Sequence, residues 1–312
     1  MVSVLIPCFN YARFLADALE SALRQSRPDL PVEVLVIDDG STDDTAAVAA
    51  LFGARIRYLR QPNAGLSAAR NTGMREAAND LVVFLDADDM LAPDAVLHLL
   101  ACRQRAVRPP AVLAGRDRAI DLKGKPMSDT IPATGTLVPI SARRLVLRNR
   151  FAPGVLADRR VLLALGGFDT SLQASEDRDM WIRVATQHPV ALLDRVVLLK
   201  RDHGANMSRA AARQTACIQQ VLAKAFSNPA LHLSAADRRL AHAVCWYQSA
   251  LMYADAADRP LAIRQMLRSL LQSPLAPWRD DAIPHFSRLR GLGGLTLAVL
   301  RAGWGSRRGP PL

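Results

Sequence analysis

Cysteine is scarce in this chain and follows no pattern. Cys8, Cys102, Cys217 and Cys245 are spread over 312 residues. They show neither CxxC spacing nor the density of a secreted disulfide scaffold, so a reducing cytosol is the simplest compartment. Long apolar runs are missing too, and no stretch reaches the roughly 18 uncharged apolar residues of a membrane-spanning helix. The amino terminus enters the apolar segment Val2–Ile6 at once, without the basic and then apolar leader of a secretory signal. Neither a repeat array nor a disordered composition is suggested, and no nucleic-acid-binding motif is present, so nucleic acid is not expected as a partner. After Asp281 there is no acidic residue at all.

What remains is a chain that is 50% apolar, ample for a core in one large α/β domain or one such domain with a helical appendage. The net charge is +11, nearly all of it carried by arginine. Basic residues cluster at Arg143-Arg144, Arg148-Asn149-Arg150 and Arg159-Arg160, and again in the tail, where Arg288, Arg290, Arg301, Arg307 and Arg308 flank the short apolar run Leu292–Leu300. Two readings of that tail stand side by side. It suits a segment lying on an anionic membrane surface, and equally a terminal helix packed on the body with a frayed basic end.

The first hundred residues alternate apolar strands with helix-period segments. Strands are expected at Val2–Ile6, Val32–Ile37, Ile56–Leu59 and Leu81–Leu85, with helices after Asn10 and over about 44–51 and 66–78. Asn10 is placed to cap the first helix, and Pro93 to open a fourth that runs to about Arg105. Strands alternating with helices imply a parallel sheet covered on both faces. Further on, Ala111–Gly115 reads as a strand, 121–139 as a loop or hairpin, and Val161–Leu165 as a short helix stopped by Gly166-Gly167. Ser175 is placed to cap a helix that turns Met180, Trp181, Val184 and Ala185 inward, before two strands at Val190–Leu193 and Val196–Leu199. From about residue 211 only amphipathic helices are expected, near 213–226, 235–256 and 261–271. The boundary therefore falls between an α/β domain over 1–210 and a helical extension with a basic tail over 211–312.

Two of the expected strands end in carboxylates. Leu81–Phe84 runs into Leu85-Asp86-Ala87-Asp88-Asp89-Met90, and Val32–Ile37 into Asp38-Asp39-Gly40-Ser41-Thr42-Asp43. In open α/β sheets ligands bind outside the carboxyl ends of the strands, so both sets converge on one crevice. Buried carboxylates need a positive partner, and a divalent cation is one, since Mg²⁺ is commonly held by one or two carboxylates plus substrate phosphates. Turn and helix-cap chemistry is the competing account, and it suits Ser41, Thr42 and Asp43 better than Asp39.

These motifs, with Val2–Asn10, Asn63-Ala64-Gly65-Leu66-Ser67-Ala68-Ala69-Arg70-Asn71, Gly166-Gly167-Phe168-Asp169 and Ser175-Glu176-Asp177-Arg178-Asp179-Met180-Trp181, stand in the order and spacing of the family-2 inverting glycosyltransferases. The resemblance covers roughly residues 2–208. It implies a GT-A-like nucleotide-diphospho-sugar transferase fold, a mostly parallel sheet flanked by helices, here followed by the all-helical extension. It further implies a nucleotide-diphospho-sugar donor, a UDP-sugar being favoured, a Mg²⁺ or Mn²⁺ cofactor, and a glycan or lipid-linked acceptor in cell-surface polysaccharide or lipopolysaccharide synthesis. Such a protein would work in the cytoplasm or peripherally on the inner face of the cell membrane.

Carried over position by position, the resemblance places Pro7, Phe9, Asp39, Asn63, Arg70 and Asp86 at the nucleotide, Asp88 and His203 at the metal, and Asp177, with Glu176 beside it, at the catalytic base. Each has a plainer alternative: Phe9 as core, Arg70 as an exposed helix-surface cation, His203 as a surface-loop residue, and Glu176 or Asp177 as acids favoured by a helix start. Asp179, two residues on, is read as structural. A sugar nucleotidylyltransferase would carry a glycine-rich, basic loop after the first strand, and Pro7-Cys8-Phe9-Asn10-Tyr11 is not one. A non-catalytic scaffold with the same fold would not need both Asp88 and Asp177.

Overall fold

The structure is a computed structural model that describes residues 1–128, 133–149, 151, 154–203, 210–274, 288–289 and 291–294. The chain divides into two compact units, one of residues 1–142 and 150–204, the other of 143–149 and 205–312.

The first unit is built on one mixed sheet. Its parallel half comprises β1 (Val2–Cys8), β2 (Val32–Asp38), β3 (Arg57–Arg60) and β4 (Leu81–Phe84), ordered β3-β2-β1-β4. Every residue of β1 is buried, as a strand covered on both faces requires. The covering helices are α1 (Ala12–Leu23), α2 (Thr45–Ala50) and α3 (Leu66–Glu76). Phe14, Leu15, Ala18, Leu19 and Ala22 of α1 repeat at helical spacing and are buried.

Beyond β4 the sheet turns antiparallel. β4 pairs with β8 (Val155–Asp158), β8 with β6 (Val112–Ile120), and β6 runs parallel to β9 (Val190–Arg201), which also carries β5 (Met90–Leu91) and β7 (Leu137–Pro139) on antiparallel pairings. The two strands expected at 190–193 and 196–199 are one strand, because a register shift against β6 absorbs the polar interruption at Asp194-Arg195. The strand expected at 111–115 likewise continues to Ile120 and turns back through Asp121–Lys125, whose ends are joined by backbone hydrogen bonds. β5 and β8 are too short to show a period and were not anticipated.

Two caps differ from expectation. Tyr11, not Asn10, occupies the cap position of α1. Asn10 adopts φ 59° and its Oδ1 accepts from the backbone N–H of Thr42 at 2.7 Å, while Asp43 Oδ2 accepts from Ala12 N at 2.9 Å. The two loops thus cap one another across the ends of β1 and β2. Pro93 lies before α4 (Ala95–Arg105), whose cap is Asp94 in the left-handed region.

In the second unit α5 (Ala142–Leu147), α8 (Ala211–Ser227), α9 (Ala235–Asp255) and α10 (Arg259–Gln272) pack as helices, while α6 (Arg159–Ala164) and α7 (Glu176–Gln187) belong to the first unit. Ser234 and Asp237 form a reciprocal capping box on α9, and Asp258 Oδ1 caps α10 through Leu261 N at 3.1 Å. The helix α5 inside the basic stretch 143–150 was not anticipated. Its Arg143 pairs with Asp237 at 2.7 Å. The apolar run expected from Leu292 lies outside the described residues beyond Gly294. No helix among the described residues is long and apolar enough to cross a membrane.

Candidate active site

The carboxyl ends of β1, β2 and β4 open on one side of the sheet, and the motif residues gather there. At the end of β2, Asp38 is fully buried and turned inward, accepting from Ser41 N at 2.7 Å and from the Tyr58 hydroxyl. Asp39 faces the neighbouring loop instead. Its Oδ1 accepts from Gln61 Nε2 at 2.7 Å and Ala64 N at 3.0 Å, and its Oδ2 from Gly65 N at 2.8 Å. Asp39 therefore fixes the loop that feeds α3. Gly40 has φ +79° and a Cβ there would stand 2.8 Å from Asn63 N, so only glycine allows the loops to approach this closely. Pro7 is buried in β1, whereas Phe9 is 43% exposed and Asn63 is exposed on the same loop system. Phe9 is thus not a core residue but an open aromatic surface.

The acidic turn after β4 holds three carboxylates together. One ligand-type oxygen from each of Asp86, Asp88 and Asp89 lies within 4.8 Å of the others. Burial, then repulsion from Asp86 and Asp88, pushes the Asp89 carboxyl up to about 8, and burial followed by Asp86 raises Asp88 as well. Tyr11 nearby is pushed up to about 12 by burial and by Asp88 and Asp86. Oxygen donors crowded until their charge is unfavourable match a hard divalent cation such as Mg²⁺ or Mn²⁺, so the donor set fits the expected cofactor.

The end of β9 and the residues just after it support this turn. His203 is buried, not a surface-loop residue, with Nε2 2.9 Å from Asp88 Oδ2 and its ring against Phe14 and Tyr11. Arg201 is 1% exposed, and its backbone N–H donates to Asp89 Oδ1 at 2.9 Å. Its guanidinium donates to Asp88 O at 3.0 Å, Leu122 O at 2.7 Å and Asp17 Oδ2 at 2.8 Å, and lies over the Phe14 ring. Neither Arg201 nor Asp89 was assigned a role from sequence. The strand was expected to stop at Leu199, whereas β9 runs on to Arg201, which carries the chain to His203 two residues further on.

Arg70 is not an exposed cation either. It is 5% exposed, with Nη2 2.8 Å from Asp86 Oδ1 and Nη1 2.5 Å from Glu176 Oε1. It joins the acidic turn to the start of α7, where Glu176 is buried and Asp177 is half-buried with Oδ1 accepting from Arg178 N at 2.7 Å. Burial raises Glu176, with Arg70 opposing. Ser175 holds the cap position of α7 at φ 59°. Asp179 is structural, as expected: it pairs with Arg183 at 2.8 Å, and Arg183 also donates to Leu165 O and Gly167 O at 2.8 and 2.7 Å. Asn71 of α3 clamps the next residue, accepting from Phe168 N and donating to Phe168 O, both at 2.8 Å. Gly167 has φ +72° and a Cβ would sit 2.5 Å from Asn71 Oδ1, so glycine is required beside that clamp.

The mixed sheet, its flanking helices and the acidic turn after β4 are the arrangement of a GT-A-like fold. Residues 3–145 match the family described as glycosyl transferase family 2. Over 212 residues the chain is 31% identical to chondroitin synthase of Escherichia coli, covering 67% of this chain and 30% of that protein. An uncharacterized glycosyltransferase of Rickettsia felis is 26% identical over 216 residues, 67% of this chain and 35% of that protein. The chain spans about a third of the length of such curated relatives. Among solved structures, Staphylococcus aureus TarS residues 1–349 in complex with UDP-GlcNAc has TM-score 0.65 at 16% identity, with 96% of this chain and 92% of that one covered. The mannosyltransferase PcManGT of Pyrobaculum calidifontis in complex with GDP-Man and Mn²⁺ has TM-score 0.59 at 21% identity, covering 96% and 86%. Residues 3–145 are a family-2 glycosyltransferase region, and the chain has a GT-A-like fold.

Proposed function

We propose that this chain transfers a sugar, with inversion, from a nucleotide-diphospho-sugar, a UDP-sugar first, to a hydroxyl of a glycan or lipid-linked acceptor in cell-surface polysaccharide or lipopolysaccharide synthesis. The observation that carries the reading is the pair of centres joined by Arg70: the Asp86, Asp88 and Asp89 cluster on one side and Glu176 with Asp177 on the other. TarS with UDP-GlcNAc and PcManGT with GDP-Man and Mn²⁺ share this fold and support the donor class and the cation.

In the reaction the acceptor oxygen bonds to the anomeric carbon while the bond from that carbon to the diphosphate oxygen breaks. The electron pair leaves with the diphosphate and the hydroxyl proton passes to Asp177. The transition state has the oxocarbenium character of glycoside chemistry. Asp88, with Asp86, Asp89 or His203 beside it, would hold a divalent cation, which would supply Lewis-acid stabilisation of the departing diphosphate. Exposed Phe9 offers a face for the base, and Asp39 sets the loop bearing Asn63, against which the nucleoside would lie. Arg70 keeps the two acidic centres compatible at one cleft.

Thermal shift of the chain with UDP and GDP, each with and without Mn²⁺, tests the donor reading. A ligand at 100 times its dissociation constant stabilises by about 2.7 kcal/mol, so the preferred base is read directly. Asp88→Ala is expected to remove the metal-dependent part of the shift while the ligand-free melting point stays within a few degrees. An undiminished metal effect in that variant would take Asp88 out of the site.

The membrane is the second part of the proposal. The acid-free basic tail after Asp281 supports peripheral attachment to an anionic surface on the cytoplasmic face. Trimming from Gly291 onward is expected to weaken cosedimentation with phosphatidylglycerol vesicles, each arginine near the surface contributing about 1 kcal/mol. Equal recovery with neutral and anionic vesicles would reject the attachment.

A further inference from the structure

A concave site away from the cleft lies between α4 and β9 in the first unit, with a volume of about 300 Å³. His98, Cys102 and Arg105 form one stripe along α4, at spacings that stack side chains on one helix face. Arg195 of β9 faces them, and Leu137 and Leu193 supply an apolar wall. Arg195 precedes Arg201 by six positions on β9, about 20 Å along an extended strand, so the site is separate from the acidic turn.

The charges here do not balance. Asp194, next in sequence to Arg195, is committed elsewhere: it accepts from Arg116 at 2.6 Å and from Thr134 N and Oγ1 at 3.0 and 2.6 Å, which hold its carboxyl at about 2. Asp94, which acts on His98 from the start of α4, is bonded to Arg27 at 3.3 Å. Among the described residues neither Arg105 nor Arg195 has a carboxylate within ion-pair distance, whereas Arg70, Arg116, Arg183 and Arg201 of the same unit all do. Arg195 Nη1 lies 3.1 Å from His98 Nε2, so its acceptor is an imidazole ring. A half-buried guanidinium satisfied by a neutral ring forgoes the stronger charge-assisted bond an oxyanion would give. The carboxyl end of α4 contributes only about half a negative charge against two guanidiniums, so the site stays cationic.

We infer that this pocket binds a phosphate-type oxyanion, held between Arg105 and Arg195, at a site distinct from the donor cleft. The phosphate could be carried by a lipid headgroup or by a soluble ion or ester. The inference does not depend on the proposed reaction. The test is titration of the full chain with inorganic phosphate, followed by calorimetry and by the His98 ring resonances, which His98→Asn assigns. Saturable binding that moves the His98 signals is expected, unaffected by UDP with Mg²⁺. Arg105→Ala and Arg195→Met are each expected to weaken it at least tenfold. Arg105 is exposed, so its variant keeps the test valid should Arg195→Met fold poorly. Flotation with phosphatidylglycerol against phosphatidylcholine vesicles, using the chain trimmed at Gly291, separates the sources. Loss of anionic-vesicle binding in Arg105→Ala identifies a lipid phosphate, and phosphate binding without vesicle binding identifies a soluble one. Unchanged phosphate affinity in both variants, displacement by UDP, or motionless His98 signals would overturn the assignment.

Discussion

Asp177→Asn is expected to bind the nucleotide-diphospho-sugar as the unaltered chain does and to transfer the sugar about 10² to 10⁴ times more slowly, the usual loss on removing a positioned base. The structure separates the two acids at the start of α7. Glu176 is buried against Arg70 at 2.5 Å, so one of its oxygens is already committed to a cation. Asp177 is half-buried, and its Oδ1 accepts from the N–H of Arg178. A positioned carboxylate at the start of a helix suits the task of a general base. Glu176→Gln is therefore the milder change in rate, since the amide oxygen still accepts from Arg70. Steady-state transfer alongside donor binding by calorimetry decides the matter. An Asp177→Asn chain with near-normal turnover would sink the assignment of the base.

The parallel half of the sheet was legible because β1, β2 and β4 are mostly buried and read as largely apolar runs, with carboxylates where β2 and β4 end. The antiparallel half was not. β5 and β8 are two and four residues long, and β9 crosses an Asp-Arg pair that looks like a turn until β6 is there to absorb the register shift. Loop chemistry was misread for a related reason. Asn10 looks like a local cap, but its partner is a loop 32 residues away, and such exchanges exist only once β1 and β2 lie side by side. The site motifs were visible as residue types. Their partners were not, because Arg70, Asp86 and Glu176 are brought together from three separate elements and Arg201 reaches Asp89 from more than a hundred residues on.

Arg70→Met should be the most destabilising single change in the cleft. The substitution keeps much of the volume but leaves Glu176 buried without its cation and Asp86 without its nearest guanidinium. Removing one partner of a buried pair costs about 3–5 kcal/mol, because the remaining charge is uncompensated. For a unit of this size that corresponds to a fall of roughly 10 °C in melting temperature. The contrast is Arg24, whose i,i+4 pair with Glu20 leaves both side chains more than half exposed, and where substitution should change stability by about 0–1 kcal/mol. Much of the Arg70 effect belongs to the orphaned acid rather than to the lost bond. Arg70→Met combined with Glu176→Gln should therefore recover a large part of the loss, a coupling of roughly 1–3 kcal/mol in a double-mutant cycle. Thermal and urea unfolding of the four proteins measure it. If Arg70→Met melts within a degree or two of the parent, or if Glu176→Gln adds to its cost, the buried bridge does not hold the two acidic centres together.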